Sequence, residues 1–204
     1  MKTTLKILGL SMLLILSCNK DDDATGFTPT LPAITQVGAN TFGCYAGNTL
    51  ITPRNGTGTF NSTDRGMRLW GGGISPEITY NEIDVHDYKS ERTSSVLIHV
   101  QALHANGSGE YPILESNGQA NIDGPDHTHV FCRIWKNETE GYQYYLSIAN
   151  TGNVNVSKYD FDAGIVSGTF SCEARNFQTP YDTIQITQGR FDINGFTLPE
   201  KIFQ

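Results

Sequence analysis

Charge is scarce in this chain, and basic charge scarcest. Acidic and basic residues make up 17% of its 204 residues, and 14 Lys and Arg face 21 Asp and Glu. The resulting formal charge of −7 argues against a nucleic-acid binder, since phosphate binding needs a basic face. No apolar run approaches the ~18–20 residues that carry a helix across a bilayer. The helix formers Ala, Leu, Glu and Lys are too thin for a helical bundle, while 10 Phe and 9 Tyr are too many for a disordered chain. Catalytic motifs are missing as well: there is no Gly-x-Ser-x-Gly, no His-Glu-x-x-His and no P-loop. Gly71-Gly72-Gly73 precedes no helix and so lacks the helix N-terminus on which a phosphate would rest.

What is present begins with an address. Met1 to Lys6 carries two lysines and no acid, Ile7 to Leu16 is almost unbroken apolar sequence, and Ser17-Cys18 closes it. Ten helical residues cover only ~15 Å, so residues 1–17 read as a secretory leader and not as a span. Ile15-Leu16-Ser17-Cys18 resembles a bacterial lipobox, in which the thiol is acylated and cleavage leaves Cys18 as the first residue. An ordinary secretory signal, with Cys18 a structural thiol, is the plainer alternative. Two or three acyl chains, palmitate among them, at ~0.8 kcal/mol per buried CH₂ anchor a protein stably where one chain does not. Removing residues 1–17 takes the formal charge to −9. Cys18-Asn19-Lys20-Asp21-Asp22 then resembles the signal that carries Bacteroidota lipoproteins to the outer face of the outer membrane. The same run also reads as a solvated spacer; as a calcium loop it lacks the ligand spacing.

Residues 18–35, rich in Asp, Thr, Pro and Gly, read as a flexible acidic tether. Residues 36–204 show no break in composition and read as one domain. Alternation with a period of two runs through it. Val96, Ile98 and Val100 share a face, with His99 and Gln101 opposite, and Asn106-Gly107-Ser108-Gly109 turns the chain into Glu110 to Leu114 as a hairpin. Val130, Cys132 and Ile134 alternate with Phe131, Arg133 and Trp135. Across a turn at Asn137 to Gly141, Tyr142, Tyr144, Leu146 and Ile148 alternate with Gln143, Tyr145 and Ser147. Val166, Gly168, Phe170, Cys172 and Ala174 share a side of the next strand. In the last, Ile184 and Ile186 fall on one parity and Phe191 and Ile193 on the other, which a bulge at Gly189 would reconcile. About ten short strands, with no helix-period segment beyond two turns, predict an all-β fold: an antiparallel β-sandwich, with a closed β-barrel as the alternative.

Leu31-Pro32-Ala33-Ile34-Thr35-Gln36-Val37-Gly38-Ala39-Asn40-Thr41-Phe42-Gly43-Cys44 resembles the opening block of an uncharacterised family of Bacteroidota outer-membrane lipoproteins, a domain of unknown function. Val166 to Ser171 and Ile186 to Asp192 are similar to that family's other end. The resemblance implies a location, the outer membrane, and supplies no catalytic residues. After Cys44, Tyr45-Ala46-Gly47-Asn48 departs from the family's frequent Leu-x-Asn-Gly but keeps its turn chemistry.

Two groups of residues could carry chemistry. Asp126-His127-Thr128-His129 sets His127 and His129 on one side of a strand, where they could hold zinc or copper with Asp126, Asp123 or His104 as third ligand. Solvated histidines at a loop–strand junction are the plainer reading, and a satisfied or solvated ring is the default for His86 and His99 too. Trp70, Trp135 and Tyr145, with Tyr142 and Tyr144, could stack on sugar rings, although half-buried strands also use aromatics for packing alone. Cys44, Cys132 and Cys172 fall on apolar parities and read as core packing, with Cys132–Cys172 the pair to test as a disulfide. The expectation is a non-catalytic β domain, fastened to the outer membrane through Cys18 and exposed at the cell surface, that binds a glycan or a partner protein. The alternative is a metal-dependent hydrolase or metal-binding protein using His127 and His129.

Overall fold

In the computed structural model, residues 28–204 are described apart from 62, 76 and 77; the leader, Cys18 and Asp21 to Asp23 lie outside the described residues. The alternating segments become strands β1 (Thr41–Ala46), β2 (Thr49–Ile51), β3 (Met67–Ser75), β4 (Ile78–Asp87), β5 (Ser94–Gln101) and β6 (Gly109–Pro112). They continue as β7 (His129–Asn137), β8 (Gly141–Ser147), β9 (Asn153–Asp160), β10 (Ile165–Asn176) and β11 (Thr183–Asn194), with one short helix, α1 (Leu103–Asn106). The all-β, antiparallel expectation holds. The sandwich and the closed barrel do not: the strands form one sheet, ordered β2-β1-β11-β10-β8-β7-β5-β4-β3, which curls into a half-barrel with β9 and β6 branching from β10.

The reason lies in strand length. A sandwich needs a break in the hydrogen-bond ladder, and β10 abolishes it. Its twelve residues take β11 along one edge, and both β9 (at 165–171) and β8 (at 174–176) along the other. A barrel needs its end strands to pair, but β2 has only three residues. Among the described residues an isolated bridge, Arg54 to Asp87, joins the segment after β2 to the far side of the curl. The Arg54 Nε–H donates to Asp87 Oδ1 at 2.7 Å and an Nη2–H to Oδ2 at 2.9 Å, a bidentate pair that holds the seam there.

The concave side holds the core, around Phe42, Ile51, Met67, Ile98, Val130 and Ile193. Each aliphatic side chain so buried contributes roughly 1.5–3 kcal/mol. The opposite face is buried in part too. Tyr80, Glu82, Leu97, His99, His129 and Leu146 point outward, yet all are buried, and residues 116–124 fold over Glu82, His129 and Leu146. The Asn121 N–H donates to Glu82, and Gly118 and Gly124 lie so close to Leu146 and His129 that a Cβ would touch them.

One local expectation fails and another holds. The hairpin expected at 106–109 does not form: Ala102 takes a left-handed φ of 54°, α1 redirects the chain, and β6 pairs with β9 instead. On β8 it is Gln143, Tyr145 and Ser147 that face the core, while Tyr142 and Tyr144 face solvent. The bulge in β11 is real. Phe170 opposes Gly189 and Cys172 opposes Ile186, so β11 carries one extra residue there, and Ile186, Phe191 and Ile193 are all buried. The left-handed residue is Gln188, at φ 53°; Gly189 is required for space, since a Cβ would lie 2.5 Å from the Phe170 ring.

The stretch read as the end of the tether is fastened down. Leu31 and Pro32 pack where a Cβ on Gly43 would stand, and the Pro32 carbonyl accepts from Arg190. The buried Asp192 carboxylate accepts from the Thr35 hydroxyl and from the N–H groups of Val37, Gly38 and Ala39.

Candidate functional site

Strand β8 decides which rings meet solvent. Tyr142 and Tyr144 are 38% and 50% exposed on the outer face, and Phe177, just beyond β10, is 65% exposed. The Phe177 N–H donates to the Tyr144 carbonyl at 2.9 Å, which sets these two residues side by side across the sheet. On the next strand Arg133 stands opposite Tyr144 and Trp135 opposite Tyr142. Trp135 meets Tyr142 edge to face at 5.0 Å, the Arg92 guanidinium covers the Trp135 ring at 4.3 Å, and Arg133 lies 4.8 Å over Tyr142. An Arg133 Nη2–H donates to Thr93 Oγ1 at 3.2 Å. The result is a stiff row of rings and guanidiniums on a sheet face, Phe177–Tyr144–Tyr142–Trp135.

At the Phe177 end the row runs into a hollow of about 670 Å³, whose walls include Glu115, Asn117, His127, Leu146 and Arg175. Arg175 pairs with Glu115. The His127 Nε2–H donates to the Glu115 carbonyl at 2.8 Å, which leaves Nδ1 of the neutral ring as an acceptor. Planar polar side chains beside aromatic faces suit a pyranose: its C–H face packs on a ring, and its hydroxyls need both donors and acceptors.

Comparison with protein-family models, curated proteins and solved structures yields no match.

The residues singled out from the sequence separate. Trp135 belongs to the row and His127 to the hollow beside it. Tyr145 is 1% exposed and its hydroxyl donates to Asp182 at 2.8 Å, so its ring is core and presents no face to a ligand. Trp70 is half exposed on β3, at the sheet's free end and across β4 and β5 from the row. Asp126 is exposed at the loop before β7.

His127 and His129 do lie near each other, with ring centroids 6.1 Å apart, but their nitrogens do not converge. His129 is fully buried, its Nδ1–H donates to the His127 carbonyl at 2.9 Å, and Nε2 lies 3.3 Å from the Gln119 carbonyl. Burial pushes its pKa down to about 4. Of the other suggested ligands, His104 is bonded to the Tyr159 hydroxyl. No group of three metal-ligating side chains occurs among the described residues. Cys44, Cys132 and Cys172 are free thiols in the core; burial pushes Cys172 up to about 12 and raises Cys44 and Cys132 strongly, so all three are poor nucleophiles.

One cluster had no signal in the sequence. Glu82 and His99 are each 1% exposed and cross-strand neighbours. The His99 Nδ1–H donates to Glu82 Oε1 at 2.9 Å, and the same oxygen accepts from the Asn121 N–H at 2.7 Å. The His99 ring stacks between Tyr80 at 4.8 Å and His129 at 4.6 Å. This carboxylate–imidazole pair is sealed beneath residues 116–124, so it clamps the covering segment and does not meet substrate. Only the register of three strands brings its members together.

Proposed function

We propose that this chain is a lipoprotein of the outer membrane, displayed at the cell surface, whose β domain binds a glycan and does not transform it. The leader, the lipobox-like Cys18, the acidic run behind it and the resemblance of Leu31 to Cys44 to Bacteroidota lipoproteins support the location. One observation carries the ligand: exposed Phe177, Tyr144 and Tyr142 stand in a row that opens into a hollow walled by Glu115, Asn117, His127 and Arg175. The same walls support binding without turnover. Glycoside hydrolysis needs two carboxyl groups ~5–10 Å apart, and among the described residues lining the hollow Glu115 is the one carboxylate, already engaged by Arg175.

A glycan array probed with the protein identifies the ligand, and titration against it tests the site. Phe177→Ala and Tyr144→Ala should each weaken binding about tenfold, equivalent to about 1.4 kcal/mol for a lost ring contact. Tyr145→Phe, a core change, should leave affinity untouched. Unchanged affinity in both ring variants, or cleaved sugar in the reaction, would overturn the proposal.

A further inference from the structure

The curl of the sheet stops at β3, and a cleft of about 460 Å³ remains between that strand, the turn joining β9 to β10 and residues 195 and 196. The glycine run of β3 makes room for it. Met67 and Leu69 face the core, so Gly71 stands next on the same side of the strand, opposite Asn81. A Cβ there would meet the Asn81 amide nitrogen at 3.3 Å and no other side chain within 4 Å, and both residues border the cleft. Gly72 is small for a different reason: Tyr80 fills its outer face, with the hydroxyl 2.5 Å from where a Cβ would stand.

The walls are graded from apolar to charged. On the inner side Leu103 and Val166 are buried members of the core, and Leu69 and Tyr159 pack against it. Phe161 and Phe196 also border the cleft, yet they are 64% and 69% exposed. The Phe196 ring lies over Gly164, 2.9 Å from where a Cβ would be. The His104 ring braces Phe161 at 4.7 Å, and its Nδ1 lies 2.9 Å from the Tyr159 hydroxyl. A concave site that opens onto a core and keeps rings in water suits an apolar body, and the mouth of a curled sheet is a common place for one.

Charge selects the head group. Asp160 and Asp162 both border the cleft, whereas no Lys, Arg or His does among the described residues. Asp160 Oδ1 accepts the Ala163 N–H at 3.0 Å, which fixes that carboxylate within the turn. Asp162 is exposed and has neither a hydrogen bond nor an ion pair among the described residues. Asn81 directs its amide N–H to the Trp70 carbonyl at 3.4 Å and so keeps its oxygen as an acceptor. Carboxylates take short, charge-assisted hydrogen bonds from an ammonium, and ring faces attract the same charge. A carboxylate or phosphate on the ligand would meet two like charges and no cation, so acids and phospholipid head groups are repelled.

We propose that this cleft is a second binding site, for a small organic cation: a primary ammonium carried on an apolar body. The ammonium lies at Asp160 and Asp162, and the body packs against Leu69, Leu103 and Phe196. The site stands apart from the ring row and does not depend on the glycan reading.

Calorimetric titration of the full chain, in a nonionic detergent common to both solutions, tests it with hexylammonium, hexan-1-ol and hexanoate. The ammonium should bind at least about tenfold more tightly than the alcohol, and hexanoate should not bind. Asp160→Asn combined with Asp162→Asn should weaken hexylammonium about tenfold and leave the alcohol unchanged. An amide oxygen at position 160 still accepts the Ala163 N–H, so the turn survives. Gly71→Leu, whose side chain would grow into the cleft, should abolish binding of both; if that variant does not fold, the asparagine pair decides alone. Equal binding of ammonium and alcohol, no binding of the ammonium, or undiminished binding in the asparagine pair would overturn the proposal. Glycan titration of the same variants reads the other proposal separately, since none of these residues lines the hollow beside the ring row.

Discussion

Asp192 offers the sharpest test of how the domain is held to its N-terminal segment. Its carboxylate is 1% exposed and accepts five hydrogen bonds between 2.5 and 3.2 Å: from Thr35, Val37, Gly38 and Ala39 on the incoming chain, and from the Ser167 hydroxyl beneath. Bonds to a charged acceptor contribute ~1.5–3 kcal/mol each. Four of the five donors regain water when the segment lifts, however, so the loss is well below five times that figure. Asp192→Ala should cost about 3–5 kcal/mol, lowering Tm by about 6–20 °C in a domain of this size. Asp192→Asn keeps the shape but turns an amide N–H toward donors, and should cost about 2–3 kcal/mol. Burial alone would raise the Asp192 pKa; the hydrogen bonds outweigh it and hold the carboxyl below the ordinary range. The stabilisation is therefore complete above the unfolded value, near 3.9, and is lost as pH falls through the lower folded value. Urea melts across pH, paired with hydrogen exchange of residues 35–39, read both effects. If Asp192→Ala loses under about 1 kcal/mol, or if residues 35–39 stay protected in it, the anchoring argument is wrong.

His129 should titrate near 4 by NMR, not near 6.5. Since its folded pKa is depressed, the unfolded state binds the proton first, and stability should fall by roughly 3 kcal/mol as pH drops from 6.5 to 4; a normal imidazole titration would refute the sealed cover. Around the bulge, Gly189→Ala should destabilise by about 2–3 kcal/mol through collision with Phe170, whereas Gln188→Gly should be neutral or stabilising by up to ~1 kcal/mol because it relieves a left-handed side chain. Equal effects in thermal melts would show that backbone angle, and not space, governs both positions.

Much of the strand pattern was legible because it is local. Val96, Ile98 and Val100, or Val166 through Ala174, repeat every second residue, and the parity slip between Ile186 and Phe191 called for an inserted residue before any partner was known. The inward face of β8 was not legible. Tyr142, Tyr144 and Leu146 look more apolar than Gln143, Tyr145 and Ser147, yet the second set faces inward, because Tyr145 finds Asp182 and Gln143 finds Asn176. A buried polar atom costs little once bonded, and those partners lie more than thirty residues away.

The amino-acid order alone settled the strand class, the turn at Asn137 to Gly141 and the bulge, since each depends on neighbours a few positions apart. Folding in three dimensions decided the rest: that the sheet curls without closing, that residues 116–124 seal His99 and His129 against Glu82, and that Trp135 and Trp70 stand at different parts of the sheet. Those outcomes turn on which edges pair and which face is covered, and such free energies arise only between segments far apart in the chain.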